Sequence, residues 1–136
     1  MSDKFTLGAV AQTIIAAPCL VFGALCIAAP DAVVSIAVRD GYETMPIVGA
    51  AIAALGAHAL AAGLFAAVRR FQPWTFPGFA LSFLPIVAAD WWLYAKSSAF
   101  NAMALAHAAG VVAIMAVCLG VFAHWLRTER SIEDAA

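Results

Sequence analysis

The chain has 136 residues, of which 65% are hydrophobic and 11% charged, with a net charge of −1; soluble domains carry about 25% charged residues. A soluble fold of this size cannot hide so much apolar surface, so insertion into a lipid bilayer is the reading that follows. No block rich in Lys and Arg exists, which argues against nucleic acid as a partner. The three cysteines (Cys19, Cys26 and Cys118) stand singly in apolar stretches, without a CxxC pair or an even disulfide set, and read as small buried hydrophobes.

Residues 5–29 are uncharged throughout. A secretory signal has an apolar region of about 7–15 residues, so this longer stretch is expected to stay as a first span. Pro18 lies in its middle, where it should free a backbone carbonyl and bend the helix. Pro30 ends it. Segment 31–45 contains Arg39, Asp40, Gly41 and Glu43. Its apolar run AVVSIAV is too short to cross and is expected to lie as a short interfacial helix capped by Asp31.

The second span is 46–68, PIVGAAIAALGAHALAAGLFAAV, with His58 as its one ionisable residue. Lipid offers no water to backbone amides, so the segment must be helical despite its glycines. At 100° per residue, Gly49, Gly56 and Gly63 form one stripe within roughly 40°, with His58 on the other side. Small residues let another backbone approach closely, so the stripe is a helix-packing surface, and another membrane protein or a second copy is the expected partner. Arg69 and Arg70 close the span. The stretch FQPWTFP that follows reads as a tight aromatic turn with Trp74 at headgroup level.

The third span is 75–95, kinked at Pro85 and carrying Asp90, with Trp91, Trp92 and Tyr94 marking its exit. Lys96, Ser97 and Ser98 make a very short connection. The fourth span, 99–126, holds His107 and has His124 and Trp125 near its far boundary; the polar tail 127–136 is expected to fray. Short connections make successive spans antiparallel neighbours. The predicted fold is therefore a single all-α membrane domain, four transmembrane helices in an up-down-up-down bundle. Lys4, Arg69, Arg70, Arg127 and Arg130 lie on one side, against Arg39 and Lys96 on the other. That imbalance places both termini in the cytoplasm of a bacterial inner membrane, with the opposite face periplasmic.

Three ionisable residues fall well inside spans, away from the boundary at which His124 stands. Counting about 1.5 Å per residue from the periplasmic boundary puts Asp90 at about 9 Å, His107 at about 12 Å and His58 at about 18 Å. Buried ionisable groups are expensive in lipid and usually face the bundle interior and mark function. Asp90 and His107 stand on adjacent helices at similar depth, so a hydrogen bond between them is geometrically allowed and could relay a proton; the alternative reading places Asp90 in the wet interface beside Trp91 and Trp92, with each histidine bonded to a neighbouring backbone group. The candidate ligand-binding set is His58, Asp90 and His107, flanked by Trp91 and Tyr94. A quinone or other apolar ligand would bond Asp90 and His107 through its polar head. A haem b with His58 and His107 as axial metal ligands is a second reading. A small proton-coupled transporter is a third. No nucleophile–base pair, phosphate loop or HExxH motif is present, so no catalytic residue is assigned and an accessory, interacting subunit is favoured over an enzyme. Lys4 and Lys96 lie outside the spans, which excludes a retinal Schiff base, and Met45, Met103 and Met115 read as packing.

A first span closing at Pro30, a short outer segment, a Gly/Ala-rich second span ending in Arg69-Arg70 and two further spans are together similar to the DoxX-like and related four-helix bacterial inner-membrane proteins. The resemblance lies in architecture. It implies the membrane fold and carries over no functional residue.

Overall fold

A computed structural model describes residues 2–68, 70–97 and 99–133, with side chains from residue 7 to residue 131 apart from Ser97. The elements in order are α1 (Ser2–Ala28), α2 (Pro30–Ala37), α3 (Pro46–Val68), α4 (Thr75–Leu81), α5 (Leu84–Trp92), a π-helical turn (Leu93–Ser97) and α6 (Ala102–Glu133). Among the described residues, four segments are long and apolar enough to cross a membrane: Leu7–Ala28, Pro46–Val68, Thr75–Lys96 and Ala102–Ser131. Large apolar side chains such as Val21, Ile47 and Val68 stay exposed along them.

α1 and α3 form the most intimate pair. Gly23 of α1 lies against the backbone of α3, so close that a Cβ there would meet the Leu60 nitrogen at 2.5 Å and the Gly56 carbonyl oxygen at 2.8 Å. Gly56 faces the Cβ of Cys26, and Gly63 faces Leu20. The glycine stripe is thus occupied from within the chain. α1 brings its own small residues, Gly23 and Cys26, to the same line. Gly49 takes no part: a Cβ there would meet nothing within 4 Å. Gln12 explains how a polar amide fits in α1. Its Nε2 donates to the Ala66 carbonyl at 3.0 Å and its Oε1 accepts from the Phe71 amide at 3.2 Å, tying the end of α3 and the following turn to the first helix.

α6 packs against α4, α5 and α1, whereas α3 scarcely approaches α4 or α5. Pro85 does more than kink the third span. It has no N–H and its ring would collide with the Leu81 carbonyl, so the helix stops at Leu81 and restarts at Leu84. Pro18, by contrast, leaves α1 continuous from Ser2 to Ala28. Phe71, expected at the interface, is buried with Phe76, Phe79 and Phe83 in a core cluster that also takes Ile15, Val111 and Cys118. Trp74 remains exposed and lies 4.7 Å from Phe122, ring centre to ring centre.

The opposite end has a second cluster, built on Cys26, Val38, Val48, Ile52, Phe100 and Ala104. Residues 99–101 are not helical, so α6 begins at Ala102 and the expected start at residue 99 is three residues early. They form a clasp instead: the Arg39 amide donates to the Ala99 carbonyl at 2.8 Å, and the Asn101 amide donates to Ala37 at 3.0 Å. The Asn101 side chain donates to the Ile36 carbonyl at 2.7 Å and accepts from the Met103 amide at 2.8 Å, capping α6. α2 starts on Pro30 without a side-chain cap, and Asp31 sits in its first turn; proline at the first helical position already lacks the orphan N–H that a cap would satisfy. The tail does not fray at residue 127: α6 continues to Glu133, with the Thr128 hydroxyl donating to His124 and the Ser131 hydroxyl to Thr128.

Candidate functional site

Asp90, near the end of α5, is 2% exposed and is the one charged or polar side chain buried in the core among the described residues. Its Oδ2 lies 2.6 Å from Nδ1 of His107 on α6. On α6 His107 falls between buried Ala104 and buried Val111, on the helix stripe that faces α5. The depth matching that sequence counting suggests for Asp90 and His107 therefore ends in a direct bond. A carboxylate placed among alkyl and aryl groups needs such a partner, because an unpaired one would lose its hydration without compensation.

The ring of Phe22, from α1, lies on the His107 ring at 4.4 Å and 27°. With Nδ1 engaged and one face covered, Nε2 and the adjoining carbons are what the imidazole has left to present. His107 lines a cavity of about 360 Å³ bounded by α1, α3, α5 and α6, within the size range of small-molecule sites. Ile14, Pro18, Phe83, Ile86 and Ile114 supply much of its wall. His58 is the only other strongly polar side chain lining it. His58 is exposed, with its ring edge-on to Phe83 at 5.7 Å. It also lines a groove of about 440 Å³ between α3 and α4, beside Phe65, Thr75, Phe79 and Ser82. It thus stands where cavity and groove adjoin.

Trp91 and Tyr94 do not join this site. Trp91 is 62% exposed and lines none of these spaces, because one step of 100° past inward-facing Asp90 carries it outward. Tyr94 falls in the π-helical turn, whose extra residue per turn alters the facing. Its ring packs on the second cluster, with the Arg39 guanidinium carbon 6.0 Å from the ring centre. Among the described residues, no three of His, Cys, Asp and Glu gather as a metal site. The residues that sequence reasoning missed are Phe22, Phe83 and the small-residue wall at Gly110. Phe22 was within reach: seven residues before the end of the first span, it has nearly the depth of His107.

The chain matches no family model, no curated protein and no solved structure. An Asp–His pair can hold a proton, fix an imidazole and present one nitrogen to a guest.

Proposed function

We propose that this chain is a polytopic protein of the bacterial inner membrane, with four spans running up-down-up-down and both termini in the cytoplasm. In this reading it binds an apolar ligand (a quinone, pigment or lipid) in the periplasmic half of the bundle. The observation that carries it is the apolar cavity of about 360 Å³ with His107, held by buried Asp90, as its anchored polar group. A site of this composition holds most of a guest by contact and orients it through one or two polar atoms. The burial of Asp90 supports a functional reason for the pair, since ionisable groups in lipid are kept where they are used.

Gentle extraction in a mild detergent, followed by mass spectrometry of the co-purifying small molecules, tests the ligand. A stoichiometric apolar compound that is lost from a variant whose cavity is filled, Ala113→Trp, is the expected result; an empty protein with no compound above the detergent blank refutes it. The competing reading is a haem b between His58 and His107, favoured by both imidazoles lining one cavity. A Soret band in the purified protein would establish that reading in place of the organic guest. For the topology, alkaline phosphatase fused to the C-terminus is expected to be inactive, and an active fusion would reverse the orientation.

A further inference from the structure

Away from the central cavity, the end of the bundle that carries Leu7 and the turn after α3 holds a cleft of about 480 Å³. The N-terminal half of α1, that turn and the C-terminal part of α6 wall it. Phe71, Phe76 and Val121 give it apolar surface, while Arg70, His124 and Trp125 bring a guanidinium, an imidazole and an indole N–H. A second space, a groove of about 520 Å³, follows the α1–α3 pair. It is walled largely by alanine: Ala16 and Ala66 are buried, Ala17 and Ala67 exposed. From Ala9 to Leu20 it runs along α1 for about 16 Å at helical rise.

The two spaces join, because Ala9, Gln12 and Arg70 line both. Arg70 is therefore at the junction of a half-polar cleft and an apolar furrow. It is exposed and already interacts within the protein, and its fork of five N–H donors leaves some over for a phosphate, with a charge that does not titrate. Among the described residues, no Asp or Glu side chain lines either space.

We propose that cleft and groove together bind one anionic phospholipid, its phosphate on Arg70 and one acyl chain in the alanine furrow. Basic pockets between membrane helices near the bilayer surface hold anionic head groups in this way. The site shares no lining residue with the His107 cavity, so it goes beyond the ligand proposed there. A choline lipid could also lay its phosphate on Arg70. Its ammonium would then add positive charge beside the guanidinium, in a cleft without a carboxylate to receive it. Trp125, which could cover an ammonium, is already stacked on Phe122 at 6.0 Å with Trp74 against it at 6.1 Å.

The test is native mass spectrometry of the full-length protein in mild detergent with palmitoyl-oleoyl-phosphatidylglycerol and the phosphatidylcholine of the same chains. One phosphatidylglycerol per chain, held at least about fivefold more tightly than phosphatidylcholine, is expected. Arg70→Gln should remove that preference, and Arg127→Gln, at an exposed position lining neither space, should keep it. Ala17→Phe fills the furrow from an exposed position and should weaken both lipids together. Equal retention of the two lipids by the wild type overturns the proposal, as does an equal loss of preference in Arg70→Gln and Arg127→Gln, since the attraction then belongs to diffuse charge. Inorganic phosphate binding as tightly as the lipid, with lipid binding undiminished in Ala17→Phe, would make the cleft a site for a free anion and also overturn it. A readout without variants uses phosphatidylglycerol carrying a diazirine in mid-chain: labelling concentrated on residues 16–20 and 66–68 is expected, and labelling spread evenly over the four spans refutes the site.

Discussion

Replacing Gly23 by alanine is the sharpest probe of how the helices are held. The added Cβ would lie 2.5 Å from the Leu60 nitrogen and 2.8 Å from both the Gly56 oxygen and the Leu60 Cα, where ordinary contact begins at 3.4 Å. The helices must therefore part locally by about 0.9 Å, the difference between 3.4 and 2.5 Å. A gap of 0.5–1 Å already forfeits a quarter to a half of each affected dispersion contact. All three obstructing atoms are backbone, so no side-chain rotation relieves the clash, and the upper end of the overpacking range, about 3 kcal/mol, applies. Alanine's better helix propensity returns about 1 kcal/mol. The net expectation is a loss of about 2 kcal/mol. Reversible unfolding by SDS in mixed micelles, followed by circular dichroism, measures it against Gly120→Ala, where a Cβ meets nothing within 4 Å. If the two variants unfold at the same SDS fraction, the close backbone approach of α1 and α3 is not there.

Other expectations can be checked in the same titration. His107→Phe keeps a ring under Phe22 but strands the Asp90 carboxylate, and should cost about 3–5 kcal/mol; adding Asp90→Leu should recover much of that, and failure to recover it would mean the pair is not coupled. Gly49→Leu should stay within about 0.5 kcal/mol of wild type, because its position in the stripe faces open space; a large loss would reinstate it as a packing residue. Asn101→Ala removes the cap of α6 and the bond to Ile36 together. It should cost about 1 kcal/mol and speed amide exchange at Met103, and unchanged exchange there would count against the clasp.

Much of the architecture could be read from residue order because lipid imposes simple demands. A run of about 20 apolar residues with no charge has few alternatives to a helix, and the bounds of α3 follow from Pro46 and the arginines after Val68. A kink in the third span was legible through Pro85, but its full break into two helices was not. Counting depth brought Asp90 and His107 to one level, since helical rise converts residue number into distance. What the chain does not spell out is azimuth and partner. A glycine stripe announces close packing without naming the helix that fills it, so Gly56 and Gly63 pointed outward on paper and meet α1 in the fold. The same gap sent Trp91 and Tyr94 to the site: rotation past Asp90 and the π-helical turn decide their directions, and neither is visible in composition. The helical tail to Glu133 was masked by polarity, which bears on burial rather than on helix formation.

The uneven packing around the bundle has a mechanical outcome. α1 and α3 are locked backbone to backbone, so they behave as one stiff beam, while α6 carries the segmented third span as a second unit. Parting the two along the line between α3 and α4 breaks the fewest close approaches, which makes that line the molecule's soft direction. Spin labels at Ala61 and Gly78, across it, should show a broader distance distribution than labels at Ala24 and Ala57 within the beam. In the ligand-binding reading proposed above, that line is where a guest would enter, past His58, which lines both the cavity and the groove beside it.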